Sequence, residues 1–137
     1  MSTPVQDIYK IFLSQIGADL LSELDQEVAE DLMLTYLEGS TVEFDICRKD
    51  LSIVDGCFID NLELDEKYIL AKGMILYWLQ PKINREETLK VAVTVSDYNK
   101  KSTAPLLDKL IKLWEKTEND LRKRKNKYSW KGKSVNE

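Results

Sequence analysis

Asp65-Glu66-Lys67-Tyr68-Ile69-Leu70-Ala71-Lys72-Gly73-Met74-Ile75-Leu76-Tyr77-Trp78-Leu79 is the stretch on which the fold turns. Asp65 is placed to cap a helix over Glu66–Leu79. Its inward set is Ile69, Leu70, Gly73, Met74, Tyr77 and Trp78. Ala71, Ile75 and Leu76 widen the apolar surface until it covers most sides, and a helix apolar nearly all round belongs at the centre of a bundle. Pro81 is expected to end it, because the residue before a proline, here Gln80, is pushed out of helical geometry.

Working outward, three further helices are expected. Ser2 or Thr3 can cap a first one, with Pro4 in its first turn and Asp7 near its positive end. Val5, Ile8, Ile11, Phe12 and Ile16 recur there at helical spacing, and Gly17 is a plausible stop. A second starts at Asp25, with Val28, Leu32, Tyr36 and Leu37 on one face, continued by Val42, Phe44 and Cys47. Gly39 within it marks either a bend or a close helix contact. The last begins at Ser102 or Thr103 with Pro105 in its first turn. Leu106, Leu110, Leu113, Trp114 and Leu121 mark its face, and it fades between Asn119 and Lys125.

Two segments break the pattern. Residues 48–64 are aperiodic and read as a structured loop pinning aliphatic side chains, with a short strand pair as the alternative. Leu89–Val95 alternates with β-branched residues, which suits a strand or hairpin over 89–98, but it equally suits the end of a helix begun at Arg85. The fold class is therefore mainly α: a bundle of about four helices, the 48–64 loop, the open question at 89–98, and an extended C-terminal tail.

The chain of 137 residues suits one domain, and 43% hydrophobic with 32% charged residues reads as globular. It contains no histidine, which excludes Ser-His-Asp and Cys-His nucleophile pairs and imidazole metal sites. Cys47 and Cys57 cannot form a four-cysteine zinc site, and they read as small half-buried hydrophobes in a reducing compartment. A cation site among Asp55, Asp60, Glu63, Asp65 and Glu66 lacks the spacing of a calcium loop, and solvated positions at a helix start explain those acids better. No phosphate loop, nucleophile elbow or metalloprotease signature is present, so neither an enzyme nor a cofactor is expected. Met-Ser-Thr-Pro lacks the basic-then-apolar order of a secretory signal, and no apolar run approaches the ~18 residues of a membrane span. An intracellular protein with no membrane partner is expected.

Charge divides the chain in two. Residues 122–137 hold seven basic residues against one acid, +6, whereas residues 1–121 hold 13 basic residues against 23 acids, −10. This suggests a helical body, 1–121, and a basic aromatic docking tail, 122–137. In the tail Arg122, Lys123, Arg124, Lys125, Lys127 and Lys131 flank Tyr128 and Trp130. Such a segment suits either an acidic protein groove, with charges at the rim and rings as anchors, or a nucleic acid, with charges on phosphates and rings stacking.

Asp7-Ile8-Tyr9-Lys10-Ile11-Phe12-Leu13, the stretch Leu62–Met74 with Tyr77-Trp78-Leu79-Gln80-Pro81, Ser96-Asp97-Tyr98-Asn99 and Lys127-Tyr128-Ser129-Trp130 together resemble small neck proteins of tailed bacteriophages, of the head–tail connector or adaptor type. The resemblance implies a helical subunit whose copies, commonly twelve, form a ring beneath the portal. It implies a virion protein, assembled in the host cytoplasm, that contacts the portal protein and a further neck or tail protein. DNA would pass through the ring without specific binding. It also implies that the C-terminal segment docks on the portal, through Arg122, Lys123, Arg124, Lys125, Lys127, Tyr128, Trp130 and Lys131. A strand at 89–95 would point instead to a stopper or tail-completion protein. The rival reading is a small nucleic-acid-binding regulator that uses the same basic segment.

Overall fold

The computed structural model describes residues 2–16, 25–96 and 100–135. In chain order the elements are β1 (Thr3–Pro4), α1 (Val5–Ile16), α2 (Gln26–Glu43), β2 (Ile53–Val54), β3 (Cys57–Phe58), α3 (Leu64–Ser96) and α4 (Lys100–Val135). The fold is mainly α, with four helices and one small antiparallel sheet among the described residues. Helix α3 is central, as its all-round apolar surface requires: α1, α2 and α4 each pack on it. Ile69, Leu70, Ala71, Met74, Ile75 and Leu79 are buried between them. Phe12 of α1 packs edge-on to Trp78, ring centroids 6.4 Å apart, and faces Tyr36 of α2 at 6.1 Å. Ion pairs fix the directions. Asp7 meets Lys67 at 3.2 Å, while Lys72 meets Asp120 at 3.3 Å and Asp65 meets Lys131 at 2.6 Å, so α4 runs antiparallel to α3.

The loop at 48–64 contains the strand pair. Ile53 and Val54 pair with Phe58 and Cys57 across Asp55-Gly56, where φ is 53° and 76°. Positive φ at both central residues is the mark of a tight hairpin turn, and Asp-Gly is suited to it. Thr3 and Pro4 add a third strand on the other side of β3, giving the order β1-β3-β2. Thr3 is thus a strand residue and not a helix cap. Its buried hydroxyl donates to Asp60 O at 3.1 Å and accepts the Leu62 N–H at 2.8 Å, tying the chain start to the approach to α3. Pro4 is tolerated because β1 is an edge.

Several boundaries differ from expectation. Pro81 lies inside α3 and does not end it. A proline deletes one N–H, but Ile83 beyond it is buried at 6%, so the following turn still gains packing. Residues 89–96 are the last turns of α3, not a strand; the sheet is complete without them, and helix continuation keeps each backbone N–H paired. Residues 97 and 98, like Gly17, lie outside the described residues. Helix α4 begins at Lys100, ahead of Ser102, and runs to Val135 where a fading helix and an extended tail were expected. No break falls between 121 and 122, because the buried stripe Leu107, Thr117, Leu121 and Tyr128 keeps its helical spacing across that point.

Helix α2 is rotated from the expected face. Ala29, Met33, Leu37 and Ser40 are buried, whereas Val28 and Val42 are exposed. Small residues set this rotation. Gly39 is a close contact and not a bend, since a Cβ there would lie 2.7 Å from the Tyr77 ring. A Cβ at Gly73 of α3 would collide with the Ser40 hydroxyl, which donates to Leu70 O at 2.7 Å. Gly73→Ala should therefore lower stability by ~1–3 kcal/mol in urea unfolding through overpacking. Helix propensity alone would raise it by ~1 kcal/mol, so the sign of the change decides between a tight α2–α3 crossing and a loose one.

Candidate functional site: the C-terminal turns of α4

The basic aromatic segment expected to dock elsewhere is partly docked on its own chain. Tyr128 is 1% exposed. Its hydroxyl donates to Glu66 Oε2 at 2.6 Å and accepts the Arg48 N–H at 2.9 Å. The Arg48 guanidinium lies over the ring, 3.8 Å from its centroid, and donates to Tyr128 O at 3.1 Å. The Phe44 ring meets it edge-on at 5.2 Å. One phenol therefore joins the end of α4 to the start of α3 and to the segment after α2.

Glu66 is fully buried. It stands in the first turn of α3, and its Oε1 accepts the Glu63 N–H at 2.7 Å, the returning half of a capping box. The helix dipole favours a carboxylate there. The Cys47 thiol, 3.7 Å from Oε2, is a third, weak donor. Burial raises the Cys47 pKa, so the thiol stays protonated. The Tyr128 pKa is raised from its usual value near 10, first by burial and then by commitment of its hydroxyl to Glu66.

Neighbouring basic residues are also engaged. Lys125 Nζ donates to Glu43 O at 3.0 Å, placing a cation at the negative end of α2. Arg124 binds Asp120 at 3.1 Å and lies 5.1 Å from the Tyr68 ring centroid. Burial works against the Asp120 carboxylate, yet hydrogen bonds from Arg124 and Lys72 hold its pKa below the usual range. Lys131 does the same for Asp65. Arg122 pairs with Glu118 at 3.5 Å on the surface. Lys123, Lys127 and Trp130 are exposed, Trp130 at 68%.

The eight expected docking residues thus divide. Tyr128, Arg124, Lys125 and Lys131 hold the fold together, whereas Arg122, Lys123, Lys127 and Trp130 face outward. Glu66, read from the sequence as a solvated acid at a helix start, is instead the buried group on which the anchor rests, and Arg48 was not singled out. The available signal was Leu121 followed seven residues later by Tyr128, a continuing stripe masked by the charges between them.

Comparison with known proteins finds no match: no family model, no curated protein and no solved structure aligns with the chain. Chemistry is therefore read from the residues alone. Among the described residues no group of three cysteine or acidic side chains is placed to hold a metal, and no helix is long and apolar enough to cross a membrane. A groove of about 460 Å³ between α3 and α4 is lined by Leu76, Tyr77, Trp114 and Leu121, with Glu43 and Lys125 at its rim. Trp114 Nε1 is buried without a hydrogen-bond partner.

Tyr128→Phe removes one donor from a buried carboxylate and one acceptor from a backbone N–H, and should cost ~2–3 kcal/mol in urea unfolding. The anchor also carries a pH signature. Because the folded state holds the neutral phenol, its stabilisation is intact below the usual pKa and drains away as pH rises past ~10. Tyr9, pushed up to about 12 by burial and then by Glu30, acts in the same direction. Wild-type stability should fall as pH rises from ~10 to ~12, and the fall should be shallower in Tyr128→Phe.

Proposed function

We propose that the chain is a structural neck subunit of a tailed bacteriophage, of the head–tail connector type. Copies assemble into a ring that joins the portal vertex to the tail and frames the DNA channel. Its partners are further copies of itself, the portal protein and another neck or tail protein. It assembles in the host cytoplasm and resides in the virion, works by docking and not by chemistry, and lets DNA pass without specific binding.

The observation that carries this reading is the presentation of Trp130. A large indole 68% exposed, with Lys123 and Lys127 nearby on the same helix, has the composition of an interface anchor with a charged rim. Because Tyr128 pins the helix two residues earlier, this surface is offered already ordered, which lowers the entropic cost of association. The portal-facing set is accordingly Arg122, Lys123, Lys127 and Trp130.

One observation favours the alternative, a small nucleic-acid-binding regulator: lysines recur along the exposed side of α4. The two readings separate cleanly. The neck reading expects the protein to co-sediment with portal rings of its phage, and Trp130→Ala with Lys127→Glu to weaken that binding at least about tenfold with an unchanged thermal midpoint. Absence of portal binding, together with DNA retardation that falls steeply with salt, would instead establish the regulator.

A further inference from the structure

Helix α2 contains five acids, Glu27, Glu30, Asp31, Glu38 and Glu43, and no basic residue. Glu27, Glu30, Asp31 and Glu38 are all exposed. Glu27, Asp31 and Glu38 follow one another at steps of four and seven, so they stack on one outward line ~16 Å long. Helix α4 shows the opposite. Lys109, Lys112 and Lys116 are all exposed and advance by three and four residues, forming a row ~10 Å long on the turns of α4 ahead of the portal-facing set.

Among the described residues neither face is neutralised: Lys109, Lys112 and Lys116 form no ion pair, and neither do Glu27, Asp31 and Glu38. The acids beside the lysine row are mostly committed, Asp120 to Lys72 and Arg124 and Glu118 to Arg122. Asp108 and Glu115 border it on one edge only. Helices α2 and α4 each pack on α3 and turn these faces to solvent. Apolar side chains lie beside both: Val28 at 46% and Val42 at 77% exposed on α2, Leu106 at 45% and Leu113 at 42% on α4.

We infer that neighbouring subunits join head to tail, the lysine row of α4 on one copy seated against the acidic face of α2 on the next. This rests on the ring reading above and names the surfaces that would build the ring. Two different faces make a heterologous contact, which repeats from copy to copy and closes where the rotation allows. The complementary charges set register and partner choice, and the bordering valines and leucines supply desolvated area. A polyanion would use the lysine row but would leave the acidic face and its flanking apolar side chains unexplained.

The test uses two charge-reversed full-length proteins, Lys109→Glu/Lys112→Glu/Lys116→Glu and Glu27→Lys/Asp31→Lys/Glu38→Lys, studied by sedimentation velocity and native mass spectrometry. All six positions are exposed, and unchanged melting curves would verify folding. Wild type should self-associate at low salt and dissociate as salt shortens the range of the charges. Each variant alone should associate at least about tenfold more weakly, since like faces then meet. An equimolar mixture should recover assembly, with the two variants alternating. Where a reversal costs the fold, neutral versions (Lys→Gln, Glu→Gln, Asp→Asn) should show the same loss. A wild type that stays monomeric, a variant that assembles as well as wild type, or folded variants that fail to co-assemble would overturn the inference. So would loss of DNA retardation on lysine reversal without any change in self-association. Assembly obeying the charge rule in a protein that ignores portal rings would uphold the interface and remove the neck reading. Portal binding by a protein whose assembly is indifferent to the reversals would do the opposite.

Discussion

A carboxylate buried to 0% exposure holds three parts of this fold in register. Glu66 accepts the Glu63 N–H at the start of α3, the Tyr128 hydroxyl from the end of α4, and the weak Cys47 thiol beyond α2. An ionised group taken out of water is costly unless such donors replace its hydration. That cost makes the arrangement selective, because only the native alignment of α3 and α4 delivers the Tyr128 hydroxyl. Arg48 adds a second clamp, stacking on the ring and donating to the Tyr128 carbonyl. With both in place, the last turns of α4 become part of the core. The outward residues Arg122, Lys123, Lys127 and Trp130 inherit their fixed positions from this anchor.

The central helix and the mainly-α class were legible in the sequence because they rest on one strong signal, the apolar surface of Ile69 to Leu79. Helix rotations were less legible. On α2 the exposed Val28 and Val42 are as apolar as the buried Met33 and Leu37, so hydropathy could not choose between faces. The choice was made by Gly39 and Ser40, whose small size allows close approach to α3, a property of the pair of helices and not of either alone. Pro81 misled for the opposite reason, and Leu89–Val95 stayed undecided between strand and helix on the same ground. Each carries a local preference, against helix in one case and for strand in the other, which the packing of Ile83 and continued backbone pairing override.

The docking segment was half legible. Its charge and its two rings are plain, but composition does not say which ring turns inward. Tyr128 has a hydroxyl that can satisfy Glu66 and a stripe position seven residues after Leu121, whereas Trp130 lies two residues on, across the helix. Acidic and basic residues also sort by place in a way that totals conceal. The net charge of −4 divides into internal pairs that lock α4 to α3 and into opposed outer faces on α2 and α4.

The central claim is that residues 122–131 belong to the folded core and are not a detachable arm. Amide hydrogen exchange of the isolated full-length chain tests this directly, since it reports the free energy of opening at each position. Protection from Leu121 through Tyr128 comparable to that of Ile69–Leu79 in α3 is the predicted result. Exchange beyond Leu121 at the rate of an unstructured chain, while α3 remains protected, would contradict it.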